Sequence, residues 1–576
     1  MAATQPAMSM PSRASPGRWR SWRPRRLGQR VTLTLLYATT GVLVVLPLLA
    51  LIFQGFTDQV EGRLVATTRF VESVGTSAGY WAALGNTIVV ALGATALAAV
   101  LGVALAWIVV RTNVPGKRAL EQLAVLPMFI PPFVGAFAWL LMAAPRIGLF
   151  NVPFLGAGLP APFNVYTRIG MVWVMGIYLA PYVFLIVASA LRNMDPTLEE
   201  AAQVSGLSGR QTMLTVTLPV MKPAILSGAI LAFVISIGLF GTPVLLGFTN
   251  QIYLVTTRIF LELQQFPPAY GVIAILALYL MALALLANAL QRWALRGRSF
   301  VTVSGKNFRP REVRLRPGPR VVLAGAVWLY IVLTAIAPIA LITVAALSTY
   351  AWSGRFTWAN LQFLWTSNDV HSTLVTTLSI TVIAATLATV IGFGISWITS
   401  RTTLRGRQLL DYLVLFPISV PSLAFAIGVA FLWVRVPFAI YGTMWVIVLG
   451  FLGRYTSYAA RSITGSLVQI HPELEESARV SGYGWARVLG RITLPLVWPA
   501  VVSGWVMLYS IFTTELSIVL PLYTADTRTI SVLSFDTWAV GKFSQVAALS
   551  LLQLIVGVGV MYLVTSFTRR REAAAP

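Results

Sequence analysis

The segment Glu200-Ala201-Ala202-Gln203-Val204-Ser205-Gly206 returns 276 residues later as Glu476-Ser477-Ala478-Arg479-Val480-Ser481-Gly482. Ten residues past each glycine a second match follows, Val216-Thr217-Leu218-Pro219 against Ile492-Thr493-Leu494-Pro495, at the same spacing. Upstream, Ala106-Trp107-Ile108-Val109-Val110-Arg111-Thr112 aligns with Ser396-Trp397-Ile398-Thr399-Ser400-Arg401-Thr402 at a spacing of 290, as Pro127 and Pro131 align with Pro417 and Pro421. The change of spacing falls in the loop at about 145–168, which is 14 residues longer in the first copy. The chain is therefore two tandem copies of one unit, which is the first thing a fold must satisfy.

The material between these markers is apolar. Of 576 residues 57% are hydrophobic and 10% are charged, with a mean hydropathy of +0.79. A soluble domain carries about 25% charged residues. A span needs about 20 mostly apolar residues. Twelve stretches meet that condition, near 33–54, 86–110, 121–144, 169–191, 223–247 and 272–293, and near 320–347, 373–399, 410–433, 440–461, 499–521 and 545–567. The fifth and eleventh are interrupted, by Gly241-Thr242-Pro243 and by Glu515. The expected fold is an all-α membrane protein of about twelve transmembrane helices in two six-helix repeats. An even number of spans per repeat gives both the same orientation, related by a pseudo-two-fold along the membrane normal.

The net charge of +24 would suggest nucleic acid in a soluble protein. Here the basic residues sit between the apolar runs and leave no basic globular face. With the N-terminus inside, 33 of the 42 lysines and arginines fall in inside segments, seven of them in the arginine-rich stretch 1–30 and nine in 292–320. That is the positive-inside pattern of a multi-pass protein of the bacterial inner membrane with both termini cytoplasmic. The expected organisation is a basic cytoplasmic tail (1–30), a first transmembrane repeat (31–293), a cytoplasmic linker acting as a flexible strap (294–319), a second repeat (320–568) and a short tail (569–576). Nucleic acid is not an expected partner; membrane lipid is.

Cysteine is absent, which excludes disulfides, thiolate metal sites and cysteine nucleophiles, and two histidines, His371 and His471, are too few for a histidine cluster. No phosphate-binding loop occurs, since the Gly-Lys pairs at 116, 305 and 541 are followed by Arg, Asn and Phe. The loop after the fourth span of each copy is where structure and charge converge. Asp195 and Pro196 open a helix, Glu199 and Glu200 lie in its first turn, and Gly206 suits a left-handed end. His471-Pro472-Glu473-Leu474-Glu475-Glu476 and Gly482 repeat the layout. Each copy should present a compact helix-turn-helix to the cytosol.

The pattern Glu-Ala-Ala, three residues, Gly, nine residues, aliphatic, one residue, Leu-Pro resembles the cytoplasmic loop of binding-protein-dependent ABC importer permeases. The first copy matches throughout; the second has Ser477 for the first alanine. The resemblance covers roughly 85–290 and 373–570. It implies that Glu200, Ala201, Ala202, Gly206, Glu476, Ser477, Ala478 and Gly482 contact two copies of a separate P-loop ATPase subunit. That subunit would carry ATP and Mg, so this chain itself would bind no cofactor, hold no metal and have no catalytic residue. A periplasmic substrate-binding protein is the second implied partner.

The double-length layout is similar to the iron(III) transport permeases, through Thr514-Glu515-Leu516-Ser517-Ile518-Val519-Leu520 and Ser531-Val532-Leu533-Ser534-Phe535-Asp536-Thr537-Trp538, with Phe240 to Gly247 at the corresponding place. That implies ferric iron, with aminoethylphosphonate or thiamine as alternatives in the same class. Glu515 and Pro243 are candidate pathway or gate residues, because acids within membrane segments usually face a pathway or a partner. Glu515 could equally sit near the outer interface beside Arg528. The proline pairs, Pro131 with Pro132 and Pro417 with Pro421, are either hinges or tolerated kinks. An ion-coupled secondary transporter would also show repeats, but gives no reason for the paired loops.

Overall fold

In a computed structural model, the chain is described over residues 26–61, 63–294, 312–350 and 354–574. The expected basic tail lies outside the described residues up to 25, and the expected linker lies outside them over 295–311. Among the described residues the regular elements are helices, apart from a short hairpin of Thr57–Val60 and Arg63–Ala66 and two isolated bridges.

In chain order the helices are α1 (Gly28–Phe56), α2 (Ala78–Arg111), α3 (Lys117–Phe129), α4 (Pro132–Ala143) and α5 (Arg168–Asn193). There follow α6 (Thr197–Val204), α7 (Gly209–Gly238), α8 (Gly241–Asn250), α9 (Val255–Leu263) and α10 (Tyr270–Ala294). The second copy has α11 (Pro317–Ala346), α12 (Asn368–Arg401), α13 (Arg407–Ser419), α14 (Ser422–Arg435) and α15 (Met444–Gln469). It ends with α16 (Glu473–Val480), α17 (Ala486–Thr514), α18 (Ile530–Ala539) and α19 (Phe543–Ala574). Lengths recur at the expected spacings: 34 residues in α2 and α12, 26 in α5 and α15, 8 in α6 and α16.

Nine described helices are long and apolar enough to cross a membrane, or twelve if three bent pairs each count as one span. The agreement with twelve expected spans is not one-to-one. The stretch 121–144 is the pair α3 and α4, bent by 98°, and 410–433 is α13 and α14, bent by 111°. Both breaks have one cause. Ile130 and Val420 precede prolines, which disfavour the helical region, and both are extended, with ψ of 123° and 128°. The bends are far larger than a tolerated kink.

The fifth and eleventh spans are displaced. α7 begins at Gly209 and α17 at Ala486, both more than ten residues before the expected starts, and they end at Gly238 and Thr514, before Pro243 and Glu515. Both helices run through Leu218-Pro219 and Leu494-Pro495, although a proline inside a helix lacks the N–H the ladder needs. A π-helical turn, Met213–Thr217 or Leu489–Thr493, ends two residues before each proline and widens the helix where proline removes an N–H. The same device precedes Pro47 in α1 and Pro338 in α11. Arg454, counted among the 33 inside charges although it lies within the expected span 440–461, is the eleventh residue of the 26-residue α15.

Small residues let the helices close up. A Cβ on Gly102 of α2 would lie 2.8 Å from Ala180 O of α5, and one on the matched Gly392 of α12 would lie 3.0 Å from Ala460 N of α15. The first helix of each copy packs on the other copy. In α1, Leu43 O faces Gly453, Pro47 O faces Gly428, and Tyr37 donates to Gly406 O. In α11, the Tyr330 hydroxyl donates to Ile177 O at 2.9 Å. The chain before α11 is pinned as well: Val313 N donates to Arg111 O (2.7 Å), Leu315 N to Asn113 Oδ1 (3.0 Å), and Lys117 pairs with Glu312.

Candidate functional site

The two short helices α6 and α16 stand at the ends of α5 and α15, and their construction is the same. Asp195 Oδ1 accepts from Thr197 N (2.9 Å) and Thr197 Oγ1 (2.7 Å), one position later than the sequence suggested, so Pro196 occupies the cap. Gly206 (φ +88°) and Gly482 (φ +86°) close the helices in the left-handed region. Leu207 N and Tyr483 N then reach back to Ala202 O and Ala478 O, both at 3.1 Å. This is the double-bonded glycine ending that only a residue without a Cβ adopts freely.

The exposed face of each helix carries Glu200, Ala201 and Gly206 in one copy and Glu476, Ser477 and Gly482 in the other. Ala202 is buried and Ala478 half-buried, so these two pack inward. Two matched residues that the sequence reading passed over are the most exposed large apolar side chains on these helices: Val204 at 90% and Val480 at 88%. Leu198 and Leu474 are also exposed. An aliphatic residue at the same place in two polar helices was the available signal.

The inward face holds what the sequence reading missed altogether. Glu199, not Glu200, is buried, with Oε1 3.4 Å from Arg111 Nη2 and accepting from Thr217 Oγ1 at 2.7 Å. In the second copy Glu475 Oε1 lies 3.3 Å from Arg401 Nε and accepts from Thr493 Oγ1 at 3.0 Å, while Oε2 is 3.2 Å from Arg479 Nη2. Arg401 Nη2 also donates to Leu467 O and Ile470 O, both at 2.7 Å. Arg111 and Arg401 end α2 and α12; Thr217 and Thr493 belong to the π turns of α7 and α17. Each short helix is thus clamped to two membrane helices by one buried carboxylate. A buried ion pair with extra hydrogen bonds holds one geometry firmly.

The two pathway candidates lie on other elements. Pro243 is buried in α8, beside Thr242, whose hydroxyl donates to Pro132 O at 3.1 Å. Glu515 follows the end of α17 and accepts from the Tyr455 hydroxyl at 2.6 Å and from Ile518 N at 3.2 Å. It is not paired with Arg528, which faces Asp369 at 3.6 Å. Where the copies meet, Phe260 of α9 and Phe535 of α18 stack edge-on at 5.5 Å, joined by Phe240 and Phe133 at 5.9 and 6.4 Å from Phe535. Phe260 and Phe535 are themselves counterparts, since Val255 N donates to Thr87 Oγ1 as Ile530 N does to Thr377 Oγ1, each at 2.9 Å. Among the described residues, no three His, Cys, Asp or Glu side chains gather as a metal site.

Residues 98–299 match the family model described as binding-protein-dependent transport system inner membrane component. The chain is 26% identical over 413 residues to a putative ferric transport system permease protein of Haemophilus influenzae (FbpB 1), covering 70% of this chain and 64% of that one. It thus spans slightly less than two thirds of that relative's length. A second Fe(3+)-transport system permease protein of the same organism (FbpB 2) is 24% identical over 540 residues, covering 92% of this chain and 97% of its own. The sulfate transport system permease protein CysT of Salmonella typhimurium is 31% identical over 230 residues, 37% of this chain and 80% of that one.

Proposed function

The chain belongs to the family of binding-protein-dependent inner membrane transport components, and we propose that it is the permease subunit of an ATP-driven importer for ferric iron handed over by a periplasmic binding protein. It is a multi-pass protein of the inner membrane. The observation that carries the mechanism is the twin clamp. Glu199 with Arg111 and Thr217, and Glu475 with Arg401 and Thr493, tie each short helix to two membrane helices. The exposed faces, acidic at Glu200 and Glu476 and apolar at Val204 and Val480, are the surfaces offered to two ATPase subunits on the cytoplasmic side.

When those subunits close on ATP they displace the short helices. Because the buried carboxylates leave no slack, the displacement passes into α2, α7, α12 and α17 and rocks the two copies against each other. ATP drives the change through the ATPase pair's different affinity for the two arrangements. The seam sealed by Phe260 and Phe535 opens in one of them. Transport therefore needs no ATP site in this chain.

Ferric iron is supported by the names and long coverage of the two ferric permease relatives. A second reading, import of a tetrahedral oxyanion, draws support from the sulfate permease, which is more similar over a shorter stretch. The test is reconstitution with a P-loop ATPase and a periplasmic binding protein from the same organism, scored as ATP-dependent uptake of labelled iron against labelled sulfate. Val204→Glu with Val480→Glu should stop ATPase association and uptake while the purified chain melts at its parental temperature. Uptake by the chain alone, without ATPase, would sink the reading.

A further inference from the structure

Arg454 is buried in α15, ten residues from one end and fifteen from the other. At 1.5 Å per residue that is about 15 and 22 Å, the depth of the membrane interior. Its guanidinium lies 5.4 Å from the Tyr455 ring centroid and donates through Nη2 to Ile418 O at 3.4 Å, at the break between α13 and α14. Nε and Nη1 are buried and have no hydrogen-bond partner among the described residues. An arginine at this depth with open donors is costly, and such residues mark solute pathways.

Packing does not require it. At the spacing of 276 the first copy has Tyr178 in place of Arg454, Leu179 in place of Tyr455 and Leu239 in place of Glu515, and at 290 it has Pro132 in place of Ser422. The same scaffold is built there without a charge, so the charged set belongs to the second copy alone.

The set also lies on the seam between the copies. Ser422 Oγ is 3.4 Å from the Tyr455 hydroxyl, and Gly238, ending α7 of the first copy, faces Pro421 and Ser422: a Cβ there would be 3.6 Å from Ser422 N. The open groups are donors. Glu515, the one acid present, already accepts from Tyr455 and Ile518 N. An incoming cation would meet an occupied carboxylate and a guanidinium; an incoming anion would meet unspent N–H groups.

We propose that Arg454, with the loosely held hydroxyl of Ser422, binds a small oxyanion of the phosphate or sulfate class within the membrane, and that Glu515, fixed by the Tyr455 hydroxyl, keeps the binding weak enough for release. The oxyanion arrives either free or as the counter-ligand of a metal cargo. The site rests on the permease reading, in that solute passes between the copies, but not on which solute is carried. A guanidinium is the side chain suited to tetrahedral oxyanions, and a transit site must bind favourably yet release.

The test uses the purified full-length chain in phosphatidylcholine nanodiscs, with radiolabelled phosphate and sulfate in equilibrium dialysis. Saturable binding is expected, weakened at least tenfold by Arg454→Gln and tightened severalfold by Glu515→Gln. The trivalent cation terbium, read by luminescence without phosphate, is the opposing probe. Cation binding lost in Glu515→Gln and kept in Arg454→Gln, with no phosphate binding, overturns the proposal. If Arg454→Gln does not fold, Ser422→Ala carries the test, since it keeps every charge; unchanged phosphate affinity in that variant overturns it too. Adding ferric ion separates the two sources: phosphate held more tightly with iron is a counter-ligand, and phosphate held equally is a free anion. Phosphate binding with no iron uptake in the reconstituted importer removes the iron reading and leaves the site standing.

Discussion

Arg401 Nε lies 3.3 Å from Glu475 Oε1, with both side chains buried, although 74 residues separate them. The end of one membrane helix is thereby locked to a short helix that belongs to a later loop. Arg111 and Glu199 make the corresponding pair in the first copy. Any force on α16 is felt by α12 before it can be lost in the loop, because moving the carboxylate would strip a buried guanidinium of its counter-charge.

Removing one partner of a buried pair costs about 3–5 kcal/mol, since it strands the other charge. Glu475→Gln should therefore release α16 from α12, making 473–482 sensitive to protease in a chain that still inserts. Arg401→Met together with Glu475→Leu removes both charges and should recover most of the loss. A double-mutant cycle on melting temperature checks this; additive effects of the two single changes would show that the pair is not coupled.

The glycine ends are the second weak point. At φ near +90° a Cβ is strained by about 1–2 kcal/mol, and proline cannot adopt that angle at all. Proline would also delete the N–H that Gly206 gives to Gln203 O at 2.9 Å and Gly482 gives to Arg479 O at 3.0 Å. Gly206→Pro with Gly482→Pro should abolish uptake while membrane insertion stays normal, and Gly→Ala at both should weaken ATPase association without ending it. Flotation and uptake assays on the same membranes separate the two effects.

The exchange of first helices predicts how the chain can be cut. A Cβ on Gly453 would lie 2.3 Å from Leu43 O, and one on Gly428 would lie 2.4 Å from Pro47 O. Gly453→Val should lower stability by about 1–3 kcal/mol through overpacking, read as a fall in melting temperature in detergent. Fragments 1–293 and 294–576 expressed singly should be degraded, each having lost the helix that covers it, and should assemble when expressed together. Stable single fragments would contradict the exchange.

Much of this architecture was legible in the sequence, because repetition and hydropathy are local signals. The spacings of 290 and 276 place Arg111 with Arg401 and Gly206 with Gly482, and the glycine ends adopt the backbone their position implies. What was not legible required contacts across the fold. Glu199 and Glu200 are adjacent acids in one first turn, and only the approach of Arg111 and Thr217 decides which is buried. Propensity alone disfavours a helix through Leu-Pro, and a π turn overrides it. Arg454 falls within the expected span 440–461 but counts with the inside charges, and the sequence offers Arg528 to Glu515, whereas the fold brings Tyr455 of α15 against it.

Phe260 and Phe535 hold corresponding places in the two copies, and their rings meet. Their rings lie edge-on at 5.5 Å, with Phe240 and Phe133 against Phe535. Phe→Ala in a packed site costs about 3–5 kcal/mol, and here that loss falls on the arrangement in which the seam is shut. Phe535→Ala should therefore shift the reconstituted importer toward the open arrangement, raising ATP hydrolysis in the absence of binding protein and reducing the stimulation that binding protein gives. Phe535→Leu keeps most of the apolar volume and should lie between. If Phe535→Ala lowers the melting temperature but leaves the hydrolysis rate and its stimulation unchanged, the rings are packing only and the seam closes elsewhere.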